Sequence, residues 1–572
     1  MRARLCNGLV LKVASILVAT VLSAAAQTNF VLYTFAPTKS TSGIFTNSDG
    51  FNPNGWLSSS GTVLYGTAQQ GGVKGYGTIF AVNTNGNLLW VNSLDANGTG
   101  KGNSPPPLGT PNGGLVISNG TLYGTTSFGG AYTNGAIYSI STNGTSIKTL
   151  YSFSGLDDLT GTNSDGADPG AGLIRSGTIF FGTTSGGGNG GNGVVFSFSG
   201  TTLTNLHSFS VGNGYIYPSL TNNDGANPSC QLLLLGTNIY GTTPAGGTNG
   251  LGTIFRVSTN GSSFTVLHHF DNVGASPKSG LVYADGKLFG MGGSVVFALG
   301  TNGDGFTILH QFDDVVDNGS PASSGLTISN GILYGATPGL GEYGYGQVFS
   351  LRTNGTGFTS FHDFTALSPS GYPVQARTNF DGAYPNGGLV LINGTLFGAA
   401  SLGGTSANGY FSSGVLFQAS PPMPALMAQT QPFDRNLYLS FQTFEGRSYI
   451  LQQNDDLTTT NWVNITQFIG DGSIVQFIVP MSGLGQMFFR LVPSDGTPLP
   501  PPVIPLFAHS DSQGFNLNFQ TLAGLNYTIQ QCTNLADNSW SDLTAFTGDG
   551  TLMQLSIPMT NSDQVFFRVR QP

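Results

Sequence analysis

The chain has 572 residues, more than one ordinary domain holds, and only 8% of them are charged, against about 25% in a typical soluble protein. A formal charge of −9 without any Lys/Arg cluster excludes the basic footprint of a nucleic-acid binder. With 39% hydrophobic and 11% aromatic residues the chain is not a disordered one, and 86 glycines between short apolar runs point to an all-β protein.

The N-terminus reads as a secretory signal over residues 1–26. Arg2, Arg4 and Lys12 form a basic start, Val13 to Leu22 is apolar, and Ala24-Ala25-Ala26 offers a cleavage site before Gln27. The apolar run is shorter than the roughly 20 residues that span a bilayer, and no other apolar span follows, so no transmembrane segment is expected. Loss of the three cations would take the charge from −9 to −12. The expected location is extracellular or on the outer cell surface, with the periplasm as an alternative. Cys6 falls within the signal, and Cys230 and Cys532 read as free thiols in separate domains.

Residues 28–419 carry an internal repeat. An aromatic-Gly strand recurs at Tyr65-Gly66, Tyr123-Gly124, Phe181-Gly182, Tyr240-Gly241, Phe289-Gly290, Tyr334-Gly335 and Phe397-Gly398, the aromatics being 58, 58, 59, 49, 45 and 63 residues apart. A Gly-Leu strand precedes most copies, as in Gly114-Leu115-Val116-Ile117. A glycine-rich loop follows, then a strand such as Gly252-Thr253-Ile254-Phe255, a Thr-Asn-Gly turn and a strand of the type Leu267-His268-His269-Phe270. Asn-Gly is a strong hairpin signal because a type I′ turn needs positive φ at both central positions. Four short antiparallel strands per unit predict a seven-bladed β-propeller, and their near-continuous apolar character fits blades covered on both faces.

The last unit stops after Gly414-Val415-Leu416-Phe417 without its Leu-His-x-Phe strand, and Phe30-Val31-Leu32-Tyr33-Thr34-Phe35 precedes any first strand. The N-terminal segment is therefore expected to complete the last blade and close the ring, removing exposed edges.

These units resemble the tandem repeat of Gloeobacter and Verrucomicrobium proteins, the GloVer repeat. The shared pattern is YGTT, a glycine loop, GT-[IV]-F, TNG, L-x-x-F and DGA-x-P before GL; the units at Tyr123, Phe181 and Tyr240 match it closely, and that at Phe289 is shortened. The resemblance implies a bacterial, secreted propeller and carries no catalytic residue with it.

The tail repeats at a constant offset of 78. Tyr449 matches Tyr527, Trp462 matches Trp540, Gly470-Asp471-Gly472 matches Gly548-Asp549-Gly550, and Phe488-Phe489-Arg490 matches Phe566-Phe567-Arg568. Proline-rich linkers set off two modules, residues 424–493 and 503–572, each expected to be a small β-sandwich. They resemble modules that end many verrucomicrobial exported proteins, which implies a role in display or attachment.

Candidate chemistry is sparse. Asn47-Ser48-Asp49-Gly50, Asn163-Ser164-Asp165-Gly166, Asn222-Asn223-Asp224-Gly225 and Asn379-Phe380-Asp381-Gly382 resemble the middle of a calcium loop but lack its first and closing ligands; side-chain-capped turns are the simpler expectation. His207, His268, His310 and His362 share one position of the fourth strand with Tyr33 and Tyr151, so they spread around the ring and cannot meet at one metal. His269 is expected to point to the opposite face from His268. No metal and no cofactor is expected.

Only two glutamates exist, Glu342 and Glu445, so an acid/base pair about 5–10 Å apart would have to come from loop aspartates such as Asp157, Asp158, Asp313, Asp314 and Asp317. In a propeller these loops and the glycine-rich loops emerge on one face, the default ligand face. The aromatics there, Phe128, Tyr132, Tyr215, Tyr217, Tyr343, Tyr345, Tyr372, Tyr384, Tyr410 and Phe411, suit sugar faces or protein partners.

The leading expectation is a monomeric, non-catalytic, secreted or surface-displayed protein that binds a glycan or cell-surface protein. A polysaccharide hydrolase or lyase using loop aspartates, and a structural cell-envelope component, are the alternatives. Deleting residues 28–36 should yield insoluble or unfolded protein on size exclusion and circular dichroism; a folded monomeric truncation would contradict ring closure by that segment.

Overall fold

The computed structural model describes residues 30–420 except 42–43, 96–107, 214–219, 272–274, 313–323, 369–377 and 405–411, and beyond 420 chiefly the strands given below. The expected signal lies outside the described residues. Two compact units divide the chain, one of them Asn29–Ser420 and the other including Pro421–Pro572. Among the described residues every regular element is a strand.

Asn29–Ser420 is a seven-bladed propeller. In the second blade Val116–Ser118, Thr121–Gly129, Ala136–Ser141 and Lys148–Ser152 pair antiparallel in chain order. The same order recurs in the third to sixth blades. In the last blade Val390–Ile392, Thr395–Leu402 and Val415–Ala419 are followed in the sheet by Val31–Thr34, with Val31 opposite Phe417 and Thr34 opposite Val415.

The repeat motif is a packing unit. In all seven blades the motif glycine is cross-strand partner to the aromatic of the third strand: Gly66 to Phe80, Gly124 to Tyr138, Gly182 to Phe196, Gly241 to Phe255, Gly290 to Phe297, Gly335 to Phe349 and Gly398 to Phe417. The aromatic ring folds over the glycine and the Leu of the Gly-Leu strand covers its other side. A Cβ on Gly241 would lie 2.5 Å from Phe255 Cζ and 2.8 Å from Leu232 Cδ2, and the same two neighbours recur at the other six glycines. A side chain there would overpack the core.

Seams between blades are equally apolar. Tyr240, Ile254 and Phe270 of the fourth blade pack with Leu281, Leu288 and Phe297 of the fifth, all buried. Each fully buried side chain of this size contributes about 1.5–3 kcal/mol. That is why the strands read as continuous apolar runs.

The tail repeats carry matching sheets. In the first, Met427–Thr430, Asn436–Gln442 and Ile474–Pro480 form one three-stranded sheet, and Val463–Ile469, Ser448–Asn454 and Phe488–Pro493 another. In the second the corresponding sheets are Leu506–Asp511, Gly514–Gln520, Leu552–Ile557 and Ser541–Thr547, Asn526–Cys532, Phe566–Arg570. Tyr449 and Leu451 are buried, as are their counterparts Tyr527 and Ile529. Trp462 and Trp540 lie outside the described residues.

One blade departs from the packing rule in chemistry. Tyr138 stands where the other six blades have Phe, and its hydroxyl is buried without a hydrogen-bond partner; burial drives its pKa well above the ordinary phenol value. An unpartnered buried hydroxyl costs about 1–3 kcal/mol. Tyr138→Phe should raise stability by an amount of that order in denaturant unfolding, and an unchanged or lowered midpoint would contradict the packing account.

Candidate functional site on the loop face

The loops after the fourth strands and those between second and third strands are tied to each other, so they share one face. Each Asn of the Asn-x-Asp-Gly segments does the tying. Asn222 Oδ1 accepts from Gly225 N within its own turn at 2.9 Å and from Gly247 N of the following blade's glycine loop at 2.8 Å, while Nδ2 donates to Ser210 O and Gly225 O. Asn47, Asn163 and Asn379 repeat this pattern with Gly72, Gly188 and Gly404.

Each Asp reaches back to the preceding fourth strand. Asp49 accepts from Tyr33 Oη at 2.6 Å and Asp165 from Tyr151 Oη at 2.7 Å; His207 Nε2 stands 3.0 Å from Asp224 and His362 Nε2 3.1 Å from Asp381. A backbone N–H from Ala36, Ser154, Ser210 or Thr365 completes each carboxylate. Capping of the local turn is thus the Asn's role alone, and the Asp is a latch across to another segment. This occupies the carboxylate oxygens that a calcium ion would need. Among the described residues no group of three His, Cys, Asp or Glu is placed to hold a metal.

The histidines serve their own seams. His207 stacks on Phe264 with ring centroids 3.5 Å apart, His268 on Phe306, His310 on Phe358 and His362 on Phe30. His269 is placed apart from this stack, with Nδ1 accepting from Thr248 N. Burial holds both His268 and His269 below the usual imidazole range. Cys230 is a free, buried thiol that burial pushes up to about 11.

The residue before the inner-strand proline is left-handed although it is not glycine: Asn52, Thr110, Asp168, Asn227, Ser276 and Tyr384 have φ of 54° to 60°. Such backbone is strained for these residue types. It is held because each N–H donates to a glycine-loop carbonyl, as Asn227 N does to Asn192 O and Tyr384 N to Tyr345 O, both at 2.9 Å. The result is a rigid collar around the inner strands.

Of the aromatics expected on this face, Phe128, Tyr132 and Tyr343 are exposed at 43%, 58% and 45%. Tyr345 and Tyr384 are half-buried and meet edge to face with centroids 5.7 Å apart. Tyr215, Tyr217, Tyr372, Tyr410 and Phe411 lie outside the described residues, as do Asp313, Asp314 and Asp317. Exposed Phe380 (85%) and Leu159 (96%) also stand in these loops. Asp157 and Asp158 are exposed; Asp157 accepts from Thr160 N, Thr160 Oγ1 and Leu159 N, which keeps it below the usual carboxylate range.

At the axis, one side chain escaped the sequence reading. The residue before the seven motif leucines is Gly114, Gly172, Gly280, Gly325 or Gly388 in five blades, but Trp56 in the first and Gln231 in the fourth. The Trp56 indole lies against Gly388 of the last blade and Gly325 of the sixth, while its Cβ lies beside Gly114 of the second. Blades one and six are not neighbours, so only the central shaft lets one ring touch both. A tryptophan aligned with glycines was the signal available in the sequence.

The family described as Gloeobacter/Verrucomicrobia repeat matches residues 7–160. The chain is a propeller repeat protein. Among solved structures this propeller is similar to the nidogen/laminin complex at 14% identity and a TM-score of 0.31, covering 53% of this chain and 93% of the other. It is also similar to the quinohemoprotein alcohol dehydrogenase from Comamonas testosteroni (12%, 0.36, 72% and 71%) and to the tricorn protease (10%, 0.26, 80% and 42%). No curated protein sequence matches it.

The latches give this propeller repeat protein a signed pH dependence. Burial would raise Asp224 and Asp381, but hydrogen bonds from His207 and Ser210, and from His362 and Thr365, outweigh it and leave both below their ordinary values. Their stabilisation is therefore full above the ordinary carboxylate range and is lost as pH falls through their folded-state values. Asp49 has the opposite sign: burial outweighs its hydrogen bonds and raises it, so acid relieves a penalty. Followed by thermal unfolding from about pH 6 to 3, Asp381→Asn should flatten the acid-side loss of stability and Asp49→Asn should steepen it. Asp381→Ala should cost about 1–3 kcal/mol at neutral pH by leaving its donors unmet.

Proposed function

We propose that the chain is an exported, non-catalytic binding protein whose loop face takes a glycan or a cell-surface protein. In this reading residues 1–26 are removed, the propeller works as a monomer outside the cell or on its surface, and the two tail modules are small β-sandwiches for display or attachment. The observation that carries it is the set of exposed rings, Phe128, Tyr132 and Tyr343, standing on the face where the glycine loops emerge. Rigid rings offer contact area at low entropy cost.

We also propose that Val31–Thr34 closes the ring. Support comes from Phe30, which stacks on His362 as Phe264 does on His207 and Phe358 on His310, and so takes the place of the residue that opens the fourth strand in other blades. The matched three-stranded sheets of the tail and their buried Tyr449 and Tyr527 support the sandwich reading.

Binding is favoured over hydrolysis by composition: only 8% of the chain is charged and it has two glutamates, Glu342 and Glu445, so carboxylates for an acid/base pair are scarce. Incubating the full chain with a polysaccharide panel should give retention without new reducing ends or unsaturated products. Product release would replace the binding reading with an enzyme, and no retention on any glycan would shift the role to a protein partner or a structural one.

A further inference from the structure

Between the second and third blades, one loop turns tightly on the surface of the loop face. Gly161 N donates to Asp157 O at 2.9 Å, and Asp157 N donates to Thr162 O at 2.8 Å. Asp157 Oδ1 accepts from Leu159 N, Thr160 N and Thr160 Oγ1 at 3.1, 2.9 and 2.8 Å. These bonds order the backbone and leave its aliphatic side chains outside. Leu159 is 96% exposed and Leu156 37%.

Two more exposed side chains stand on segments that touch this loop. On one side, Asn134 Nδ2 in the second blade's glycine loop donates to Ser154 O at 2.6 Å, and a Cβ on Gly155 would lie 3.7 Å from Tyr132 Cδ1. On the other side, the third blade's glycine loop meets both the turn and Val211. A Cβ on Gly191 would lie 3.5 Å from Thr160 O, and one on Gly190 would lie 2.8 Å from Val211 N. Tyr132 is 58% exposed and Val211 72%. The four side chains therefore stand on one continuous run of contacting segments. Single exposed apolar residues need no explanation, but a group of them marks an interaction site.

Charge and shape select the occupant. Asp157 and Asp158 are exposed within the turn, and segments 129–135, 153–163, 185–193 and 209–213 contain no Lys or Arg. Leu and Val side chains lack the flat face that an aromatic ring offers a sugar. A second copy docked through the same surface would set these carboxylates against their own counterparts, because a two-fold contact is self-facing. A partner with basic residues beside apolar ones matches both the surface and its charge.

We propose that the ridge from Tyr132 to Val211 is a docking site for a segment of a partner protein in which aliphatic or aromatic side chains are flanked by Lys or Arg. Leu159 is its anchor, since the backbone beneath it is ordered before the partner arrives. Asp157 and Asp158 meet the partner's cations. The inference rests on the loop-face binding proposed above and selects protein over glycan in this sector.

The test selects random displayed peptides on the immobilised full chain and measures the recovered peptides by calorimetry at low and high salt. The polysaccharide panel is run on the same proteins. The variants are Leu159→Ser, Asp158→Lys and, as a control elsewhere on the loop face, Phe380→Ser, whose side chain is 85% exposed. Because Leu159 and Phe380 face solvent, thermal unfolding of both serine variants should match that of the parent chain.

Recovered peptides should combine basic and apolar residues. Leu159→Ser should weaken them about tenfold. Asp158→Lys should weaken them and remove most of their salt dependence, and Phe380→Ser should leave them unchanged. Peptides that bind Leu159→Ser and Asp158→Lys as well as the parent would overturn the ridge as their site and leave the loop-face reading standing. Recovered peptides without basic residues would overturn the chemistry assigned to the partner. Polysaccharide retention with no peptide recovered would overturn the choice of protein over glycan while keeping loop-face binding. Neither peptide nor polysaccharide bound would overturn both.

Discussion

The structure depends on a void above one glycine in each blade. At Gly66, Gly124, Gly182, Gly241, Gly290, Gly335 and Gly398 the third-strand aromatic and the first-strand Leu meet over a backbone that has no Cβ. This joins three strands by one contact and sets which faces of the sheet are flat enough to stack against the next blade. Because packing in a core tolerates little added volume, the glycine is as necessary as the ring that covers it. Repeated seven times, the same contact yields blades of one shape that fit around one axis.

Stacking alone leaves the outer seams and the loops to be fixed. At His207 and His362 one side chain does both: the ring stacks on Phe264 or Phe30, and Nε2 reaches Asp224 or Asp381 of the following Asn-x-Asp-Gly loop. The Asn two residues earlier then holds the next blade's glycine loop. Packing of the seam and shape of the ligand face are therefore one network, and loops containing many glycines are kept in place by side-chain hydrogen bonds. The exposed rings Phe128, Tyr132 and Tyr343 stand on other glycine loops of the same face, those of the second and sixth blades.

Much of this was legible from spacing, because a repeat writes one local solution many times. The aromatic-Gly strands, the glycine loops and the Thr-Asn-Gly turns each stand where the repeat put them. The shared position of His207, His268, His310 and His362 was legible too, and so was their inability to meet at one metal. The partner of each was not. Tyr33, Tyr151, His207 and His362 find their Asp 14 to 19 residues further along the chain, a separation at which sequence pattern says nothing about distance. The Asp-Gly segments consequently read as local turns, although only their Asn acts locally.

What the sequence by itself determined is the unit: four strands, their turns, seven copies, and an acidic, low-charge composition. These follow from periodicity and backbone preferences, which act between near neighbours. Only the tertiary structure decided what the copies do to each other. Trp56 is one aromatic among many in the sequence and becomes singular because ring formation brings it to Gly325 and Gly388, some 270 and 330 positions away in the chain. Circular arrangement places equivalent residues of distant blades on one axis, and no spacing along the chain encodes which of them will meet there.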